Sequence, residues 1–203
     1  MPFLIPIMII LRFSGEGHVW YFQERIGFKN KKFDIWKFAT MLKNSPSMGT
    51  GSITLRNDPR VTTVGKYLRM SKINELPQLF NVLRGEMSFV GPRPQMMVDF
   101  LAYPAHVQKK IYDSKPGITG IGSVVFRDEE RLISNAGQDP KQFYKEHIAP
   151  YKGALELWYL EHKNLWVDFK LLVLTFWVII FPKEIQIERW FNDLPPKPDS
   201  LNL

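Results

Sequence analysis

Two short segments near the start of the chain mix polar residues with many aromatic and β-branched ones, a composition typical of β-strands. They run from 19 to 27 and from 31 to 41, and the polar pair Lys29 and Asn30 separates them. The sequence therefore predicts two short strands or extended segments joined by a polar turn.

Apolar residues recur at intervals of three and four in the next part of the chain, which is the helical spacing. This pattern predicts a helix over residues 63–71 and a second, better defined helix over residues 76–83. Pro77 fits only the first turn of that helix, where no backbone N–H donor is required, and Gly85 is a typical C-terminal cap. The second helix is therefore predicted to begin just before Pro77.

Prolines interrupt the helical patterns in the second half of the chain. Residues 96–112 predict a helix interrupted at Pro104, and residues 138–160 predict a helix broken near Pro150. Between them, the glycines and the proline of residues 115–120 predict a tight turn. Together these elements predict an α+β fold that is mostly helical with a small β element.

Both ends of the chain are rich in apolar residues. Residues 1–13 are nearly all hydrophobic but contain Pro2 and Pro6, and residues 171–181 form a second apolar run that follows an aromatic segment. Each run is shorter than the roughly 20 residues that a membrane-spanning helix needs. For the first run we expect burial in a membrane. For the second, packing in a core and contact with a membrane interface are equally compatible with the pattern.

The chain has 203 residues, a net charge of +7 and no cysteine. Its length suits one domain with a real core, which we place at residues 14–192, between a membrane-inserted segment at 1–13 and a flexible proline-rich tail at 193–203. The lack of cysteine excludes disulfides and thiolate chemistry. The positive charge suits nucleic acid, an anionic membrane surface or phosphorylated substrates, and no known nucleic-acid-binding motif is present to favour the first.

Asn74 and Glu75 fall at the predicted start of the second helix, where backbone N–H groups have no partner within the helix. Phosphates bind readily at such an end, and a carboxylate there tends to stay ionised. Glu75 is a candidate ligand for Mg²⁺, which prefers oxygen ligands and is usually shared with substrate phosphates. The alternative is that Glu75 is only a charge at the start of a helix.

Arg93 lies between Pro92 and Pro94, which fix their own φ and restrict the residue before them. Its guanidinium is thereby held in one direction, which suits a bidentate grip on phosphate. Arg69 and Lys37 are further cations that would converge on the same diphosphate. The alternative is a solvated basic face, but the cations taken together with the Pro-Arg-Pro sequence favour a phosphate site.

Five motifs in order along the chain resemble those of the bacterial sugar transferases, the monotopic phosphoglycosyl transferases that start membrane-linked glycan assembly. They are QERIG at 23–27, FDIWKFATM at 33–41, DPRVT at 58–62, ELPQLFNVLRGEMSFVGPRP at 75–94 and KPGITG at 115–120. The resemblance covers most of the chain, from about residue 14 to residue 181.

This resemblance implies an enzyme that transfers sugar-1-phosphate from a nucleoside-diphosphate sugar, usually a UDP-sugar, to polyprenyl phosphate, with Mg²⁺ as cofactor. The products are UMP and a polyprenyl-diphosphate sugar, which initiates exopolysaccharide, O-antigen or glycoprotein glycan assembly. The resemblance also implies a location on the cytoplasmic face of the bacterial inner membrane, through a re-entrant N-terminal helix and interfacial amphipathic helices. The family hairpin is longer than residues 1–13, so we expect this segment to be incomplete. A homodimer is left open.

Residue roles follow from the same resemblance, position by position. Lys37, Arg69 and Arg93 match the cations of the family's phosphate site. Glu75 matches the glutamate that assists the metal. The residues after Gly120 are expected to shape the sugar pocket.

Asn74 stands where the family has its nucleophilic aspartate, and three hypotheses follow. Glu75 or a carboxylate among residues 128–130 takes the covalent role. Or the acceptor phosphate attacks the donor directly, while Asn74 only donates a hydrogen bond. Or the protein is catalytically impaired and binds polyprenyl phosphate or a partner enzyme. The intact motifs around the site favour an active enzyme.

Overall fold

The computed structural model describes residues 4–48, 53–55, 57–181, 186–198 and 201. Its first sheet is a hairpin formed by the two segments that the sequence predicts as strands or extended segments. Strand β1 (Trp20–Ile26) pairs antiparallel with strand β2 (Lys32–Phe38). Lys29 and Asn30 adopt positive φ values of 55° and 57° in the connection, a conformation that asparagine tolerates better than most residues. The prediction of two strands joined at this polar turn is confirmed.

The two faces of the hairpin carry different residue types, which follows from the period of two. One face carries Arg25 and Lys37. The other carries aromatic residues: the rings of Trp20 and Phe38 stack with centroids 5.3 Å apart, and Trp36 packs on the same side. One face can therefore join a hydrophobic core, while the opposite face directs two cations elsewhere.

Helices make up about half of the chain, so the predicted α+β class is confirmed. In the described residues the α-helices are α1 (Leu4–Arg12), α2 (Thr63–Met70), α3 (Gln78–Leu83), α4 (Met97–Phe100), α5 (Ala105–Lys110), α6 (Ile121–Val125), α7 (Glu129–Asn135), α8 (Pro140–Phe143), α9 (Ala149–His162) and α10 (Leu165–Ile180).

The predicted proline interruptions have two different forms. Pro104 is the N-cap residue of α5, so the 96–112 segment divides into α4 and α5 as predicted. Pro150 lies in the first turn of α9, directly after a π-helical turn over Tyr144–Ile148 that joins α8 to α9. The second segment therefore continues as a helix through a local change of hydrogen bonding.

The prediction of a tight turn at residues 115–120 is wrong. Gly117–Thr119 forms strand β4, which pairs in parallel with strand β3 (Ser88–Val90). The two backbones pass so closely that a Cβ on Gly117 would lie 2.2 Å from the backbone nitrogen of Gly91. The glycines therefore reflect the close approach of two chain segments, which a local reading cannot distinguish from a turn.

The helix predicted over 76–83 exists, but it begins later than predicted. Its buried and exposed faces also differ from those that the apolar pattern indicates. Helix α3 begins at Gln78, and Asn74 and Glu75 lie on a one-turn 3₁₀ helix before it. Pro77 has no backbone N–H group, so it cannot donate the hydrogen bond that would extend the α-helix back towards Asn74. Asn81 is fully buried, whereas Leu83 at the end of the apolar stripe is 75% exposed.

The larger hydrophobic core lies between α5, α6, α9 and α10. Its fully buried members include Val107, Ile121, Leu155, Leu171 and Leu174. Burial of such a side chain contributes about 1.5–3 kcal/mol relative to exposure. This core supports β3 and β4 and thereby fixes the loops that follow both strands.

A smaller core joins the N-terminal helix to the hairpin. Leu4 and Leu11 of α1 are buried against Phe38 of β2 and Leu68 of α2. The opposite side of α1 exposes large apolar side chains, and Ile9 is 54% exposed. Residues 1–3, which belong to the predicted membrane segment, lie outside the described residues.

Helix α10 contains most of the apolar run near the C-terminus and presents two faces. Leu171, Leu174 and Val178 are buried in the larger core, whereas Trp166 and Phe176 on the other side are more than 60% exposed. Core packing, one of the two alternatives left open by the sequence, is therefore confirmed for one side of this helix, and contact of the exposed side with a membrane interface stays a prediction. Among the described residues, no helix combines the length and apolar character needed to cross a membrane.

Candidate active site

Three segments that are distant in sequence bring a carboxylate and two cations together. Arg93 donates two hydrogen bonds to the carboxylate of Glu75, at 2.6 Å and 3.2 Å, and the ammonium group of Lys37 lies 3.3 Å from the same carboxylate. The Lys37 and Glu75 side chains are 14% and 12% exposed. Of the residues predicted for the phosphate and metal site, these three lie in direct contact.

The charges of this cluster shift one another's pKa. Burial alone would raise the pKa of the Glu75 carboxyl, but Arg93 and Lys37 outweigh that effect and hold it well below its usual range. Burial lowers the pKa of Lys37 to about 7, since the nearby Glu75 carboxylate only partly offsets desolvation and the repulsion from Arg93. Glu75 is therefore ionised near neutral pH, while Lys37 is close to its titration point.

Helix α3 positions Glu75 by docking onto the edge of the hairpin. The Asn81 side chain accepts a hydrogen bond from the Trp36 backbone N–H at 3.0 Å and donates to the Asp34 carbonyl at 2.8 Å. Lys72, with a positive φ of 57°, reverses the chain direction before the 3₁₀ turn that carries Glu75. A buried amide thus joins the glutamate segment to the strand that carries Lys37.

The loop after β3 holds Arg93 through its backbone. The Pro92 carbonyl accepts a hydrogen bond from the Gly117 N–H at 3.0 Å. The Tyr112 hydroxyl donates to the Arg93 carbonyl at 3.0 Å and accepts from the Gln95 N–H at 2.9 Å. Pro92 and Pro94 are both buried. Pro92 therefore acts here as part of the frame that orients the arginine.

Arg25 is a neighbouring cation that the sequence reasoning did not single out. Its guanidinium donates to the Gln23 side chain and to the Pro94 carbonyl, which lies 3.3 Å away. Burial and the nearby Arg93 lower its pKa. The alternation of β1 and β2 contained a signal, because a period of two places Arg25 on the hairpin face that carries Lys37.

Arg69 and the acidic residues 128–130 lie in the wall of the same cavity as Glu75, but they form other pairs. Arg69 contacts Glu130 at 2.7 Å, Asp128 pairs with Arg127, and Glu129 pairs with Lys152. The structure thus places Arg69 within the cavity without bringing it to the Glu75 carboxylate.

The cavity has a volume of about 1730 Å³ and is lined by Lys37, Arg69, Asn74, Glu75 and Arg93. Asn74 is 6% exposed, and its side-chain oxygen is buried without a hydrogen-bond partner. A buried acceptor of this kind has a free-energy cost unless a ligand or water satisfies it. The Asn74 oxygen is therefore positioned to interact with something that enters the cavity.

The donor set fits a magnesium ion that is shared with a substrate. Glu75 supplies a carboxylate, and the preceding residue, Asn74, has a buried amide oxygen without a hydrogen-bond partner. The described residues contain no group of three or more His, Cys, Asp or Glu side chains that could hold a metal by themselves. Mg²⁺ bound by one or two protein oxygens takes its other ligands from water and phosphate.

The cations in the wall of this cavity are suited to a phosphorylated ligand. Comparison with known proteins assigns the chain to a family. The profile of the bacterial sugar transferase family matches residues 1–182. The chain therefore belongs to the bacterial sugar transferase family.

Curated relatives of the chain include several transferases that act on undecaprenyl phosphate. It is 33% identical over 192 residues to the undecaprenyl-phosphate glucose phosphotransferase of Komagataeibacter xylinus, covering 86% of this chain and 31% of that protein. It is 31% identical over 192 residues to the undecaprenyl-phosphate galactose phosphotransferase of Salmonella typhimurium, covering 86% of this chain and 37% of that protein.

A shorter relative matches over most of its own length. The chain is 33% identical over 177 residues to the uncharacterized sugar transferase EpsL of Bacillus subtilis, covering 87% of this chain and 77% of that protein. By contrast, the chain spans about a third of the length of the glucose and galactose phosphotransferases.

Proposed function

We propose that this protein transfers sugar-1-phosphate from a UDP-sugar to a polyprenyl phosphate, giving a polyprenyl-diphosphate sugar and UMP. The observation that carries the proposal is the buried contact of Glu75 with Arg93 and Lys37 inside a cavity large enough for a nucleotide sugar. The family and the printed activities of its relatives support the same reaction. The comparisons lend no support to the alternative of a catalytically impaired binding protein.

Phosphoryl transfer depends on placement and on neutralisation of oxygen charge more than on strong acid–base chemistry. Arg93 supplies two N–H donors in a fixed fork, and Lys37 supplies a second positive charge a short distance away. Glu75 holds both cations in place before the substrate binds and shares them with the diphosphate afterwards. When bound by Glu75 and the Asn74 oxygen, Mg²⁺ would add further charge stabilisation at the phosphate oxygens.

Because Asn74 is a poor nucleophile, two routes of transfer remain. An amide does not form an acyl phosphate, so a covalent route would require Glu75 or one of the carboxylates at 128–130. On the direct route an oxygen of polyprenyl phosphate forms a bond to the β-phosphorus of the UDP-sugar. The bond from that phosphorus to the bridging oxygen breaks, and UMP leaves with the electron pair. The two routes differ in whether UMP is released before the acceptor binds.

The protein is further proposed to lie on the cytoplasmic face of the bacterial inner membrane. The exposed apolar sides of α1 and α10 support this location, because such surfaces are costly in water and aromatic residues favour the membrane–water interface. In this proposal α1 belongs to a re-entrant segment and α10 lies in the interface with its aromatic side towards lipid. The acceptor phosphate then reaches the cavity from the lipid surface.

The test is UMP release in nanodiscs from a panel of UDP-sugars, with and without polyprenyl phosphate and Mg²⁺, for the wild type and Asn74→Asp. We expect wild-type release that requires an acceptor and Mg²⁺. A single-turnover burst of UMP without acceptor, with no free sugar-1-phosphate formed, would instead indicate a covalent intermediate on one of the carboxylates. If the wild type releases no UMP with any UDP-sugar, whereas Asn74→Asp does, the proposed activity is refuted.

A further inference from the structure

One part of the cavity wall, which we call the inner end, is built from polar groups outside the Glu75 cluster. This inner end comprises Ser123 of α6, Glu129 of α7, Tyr144 of the π-helical turn and Lys152 of α9. The Ser123 hydroxyl oxygen is buried and has no hydrogen-bond partner. The Tyr144 ring is 5.7 Å from the Lys152 ammonium group, which places both on the same wall.

The strand topology places this inner end beside the arginine of the phosphate site. Strands β3 and β4 are parallel, so the segments that follow them leave the sheet at the same edge. Arg93 follows β3 by three residues, and Ser123 follows β4 by four. The backbones touch at this edge, because a Cβ on Gly120 would lie 2.2 Å from the Gly91 carbonyl oxygen.

The charge of the inner end differs from that of the Glu75 cluster. Lys152 is 4% exposed and forms an ion pair with Glu129. Their charges compensate each other, and the buried carboxyl of Glu156, which lies beside Gly122, adds no positive charge. The groups that remain for a ligand are the hydroxyls of Ser123 and Tyr144. Hydroxyls in a wall without net positive charge suit an uncharged ligand rich in hydroxyl groups, rather than a phosphate.

A sugar ring meets this description, and it is the group directly attached to the phosphate that Arg93 would hold. A polyisoprenoid chain fits poorly, because it would leave the buried Ser123 oxygen unsatisfied. We propose that Ser123 and Tyr144 hydrogen-bond the sugar ring of the nucleotide-sugar donor and determine which sugar the enzyme accepts. This assignment rests on the proposed function and extends it to the specificity of the same site.

The experiment uses Ser123→Ala and Tyr144→Phe, which remove one hydroxyl each with little change of shape. Matched controls are Ser114→Ala, a half-buried serine outside the cavity wall, and Tyr151→Phe, a buried tyrosine that contacts Phe126 from outside the cavity. For each variant, calorimetry gives the affinity for UDP and for four UDP-hexoses. Steady-state assays give kcat/KM for the same hexoses.

We expect both cavity variants to lose about fivefold or more in affinity for the preferred UDP-sugar while affinity for UDP stays within twofold, as for one lost hydrogen bond. The ratio of kcat/KM values between hexoses should change as well, whereas the two controls should leave it unaltered. Unchanged sugar affinity, or an equal loss for UDP and UDP-sugars, would overturn the assignment.

The binding and turnover measurements separate this inference from the proposed function. A sugar-dependent loss of binding in Ser123→Ala, in a protein that transfers no sugar phosphate, would support the sugar site and refute the proposed activity. Turnover by the wild type, combined with equal losses of affinity for UDP and for UDP-sugars in the variants, would support the proposed activity and refute the sugar site.

Discussion

Lys37 should take up a proton when a nucleoside diphosphate binds. In the free protein, burial lowers the pKa of this lysine to about 7, with Arg93 and Arg25 acting in the same direction. A diphosphate beside the ammonium group adds negative charge, which favours the protonated form. The pKa of Lys37 therefore rises on binding, and protons move from the buffer to the protein between the free and the bound pKa.

The expected number of protons follows from these pKa values. At pH 8, a lysine with a pKa of about 7 is roughly one tenth protonated. If the bound phosphate restores the pKa towards the ordinary value of about 10.4, the lysine becomes almost fully protonated. The uptake should therefore be about 0.9 proton per UDP bound. It should decrease towards zero below pH 6, where Lys37 is already charged in the free protein.

Calorimetric titration with UDP at pH 8 in two buffers of different ionisation enthalpy measures this uptake directly. Phosphate groups lose their second proton near pH 6, so the ligand itself contributes little at this pH. The titration is run without divalent cations, so that metal binding releases no protons. Lys37→Arg is the control, because arginine keeps its charge throughout this range.

Two results would refute this reasoning. Observed heats that do not depend on the buffer would mean that Lys37 is already protonated in the free protein at pH 8. Uptake that persists unchanged in Lys37→Arg would assign the proton to another group. The first such group to test is Glu156, whose pKa burial raises to about 7.

Further predictions concern activity, metal binding and stability. Arg93→Ala should lower kcat/KM by at least tenfold, since a preorganised donor at developing charge contributes about 2.7–4 kcal/mol; near-normal turnover would exclude Arg93 from the site. Asn74→Asp should tighten Mg²⁺ binding, measured by calorimetry, because a second carboxylate beside Glu75 attracts the cation, and equal affinities would contradict the assigned ligands. Asn81→Ala should lower the free energy of unfolding in urea by roughly 3 kcal/mol, about 1 kcal/mol for each of its three buried hydrogen bonds. Gly117→Ala should lower the melting temperature, since its Cβ would meet the Gly91 backbone at 2.2 Å; an unchanged value would show that the strands can separate at no cost.

Local patterns predicted those parts of the fold that depend on neighbours in sequence. The hairpin followed from two segments rich in aromatic and β-branched residues on either side of a polar turn, and α2 followed from a period near 3.6. Pro104 marked a true division between helices. Strand β4 could not be recognised, because three residues are too few for any period, and its partner β3 lies 29 residues earlier.

The candidate site was predictable to the extent that chemistry follows from residue type. Glu75 and Arg93 stood out because a carboxylate and a proline-fixed arginine suit a phosphate site. The pairing of Arg69 with Glu130 was not foreseeable, since it depends on how α2 and α7 approach each other. The family resemblance pointed to the segment after Gly120 as a whole but did not single out Ser123, because an unpartnered hydroxyl is a property of the packed structure rather than of the sequence.

The amide at position 74 changes the charge balance of the whole cluster. Glu75 carries one negative charge against Arg93, a partly charged Lys37 and the nearby Arg25. An aspartate at position 74 would make the pocket nearly neutral, which favours a metal ion, whereas asparagine leaves it positive, which favours the diphosphate. We therefore expect a pocket of this kind to bind the donor before the metal. It follows that binding of the nucleotide sugar should precede and promote binding of Mg²⁺, because the phosphates supply both the missing ligands and the missing negative charge.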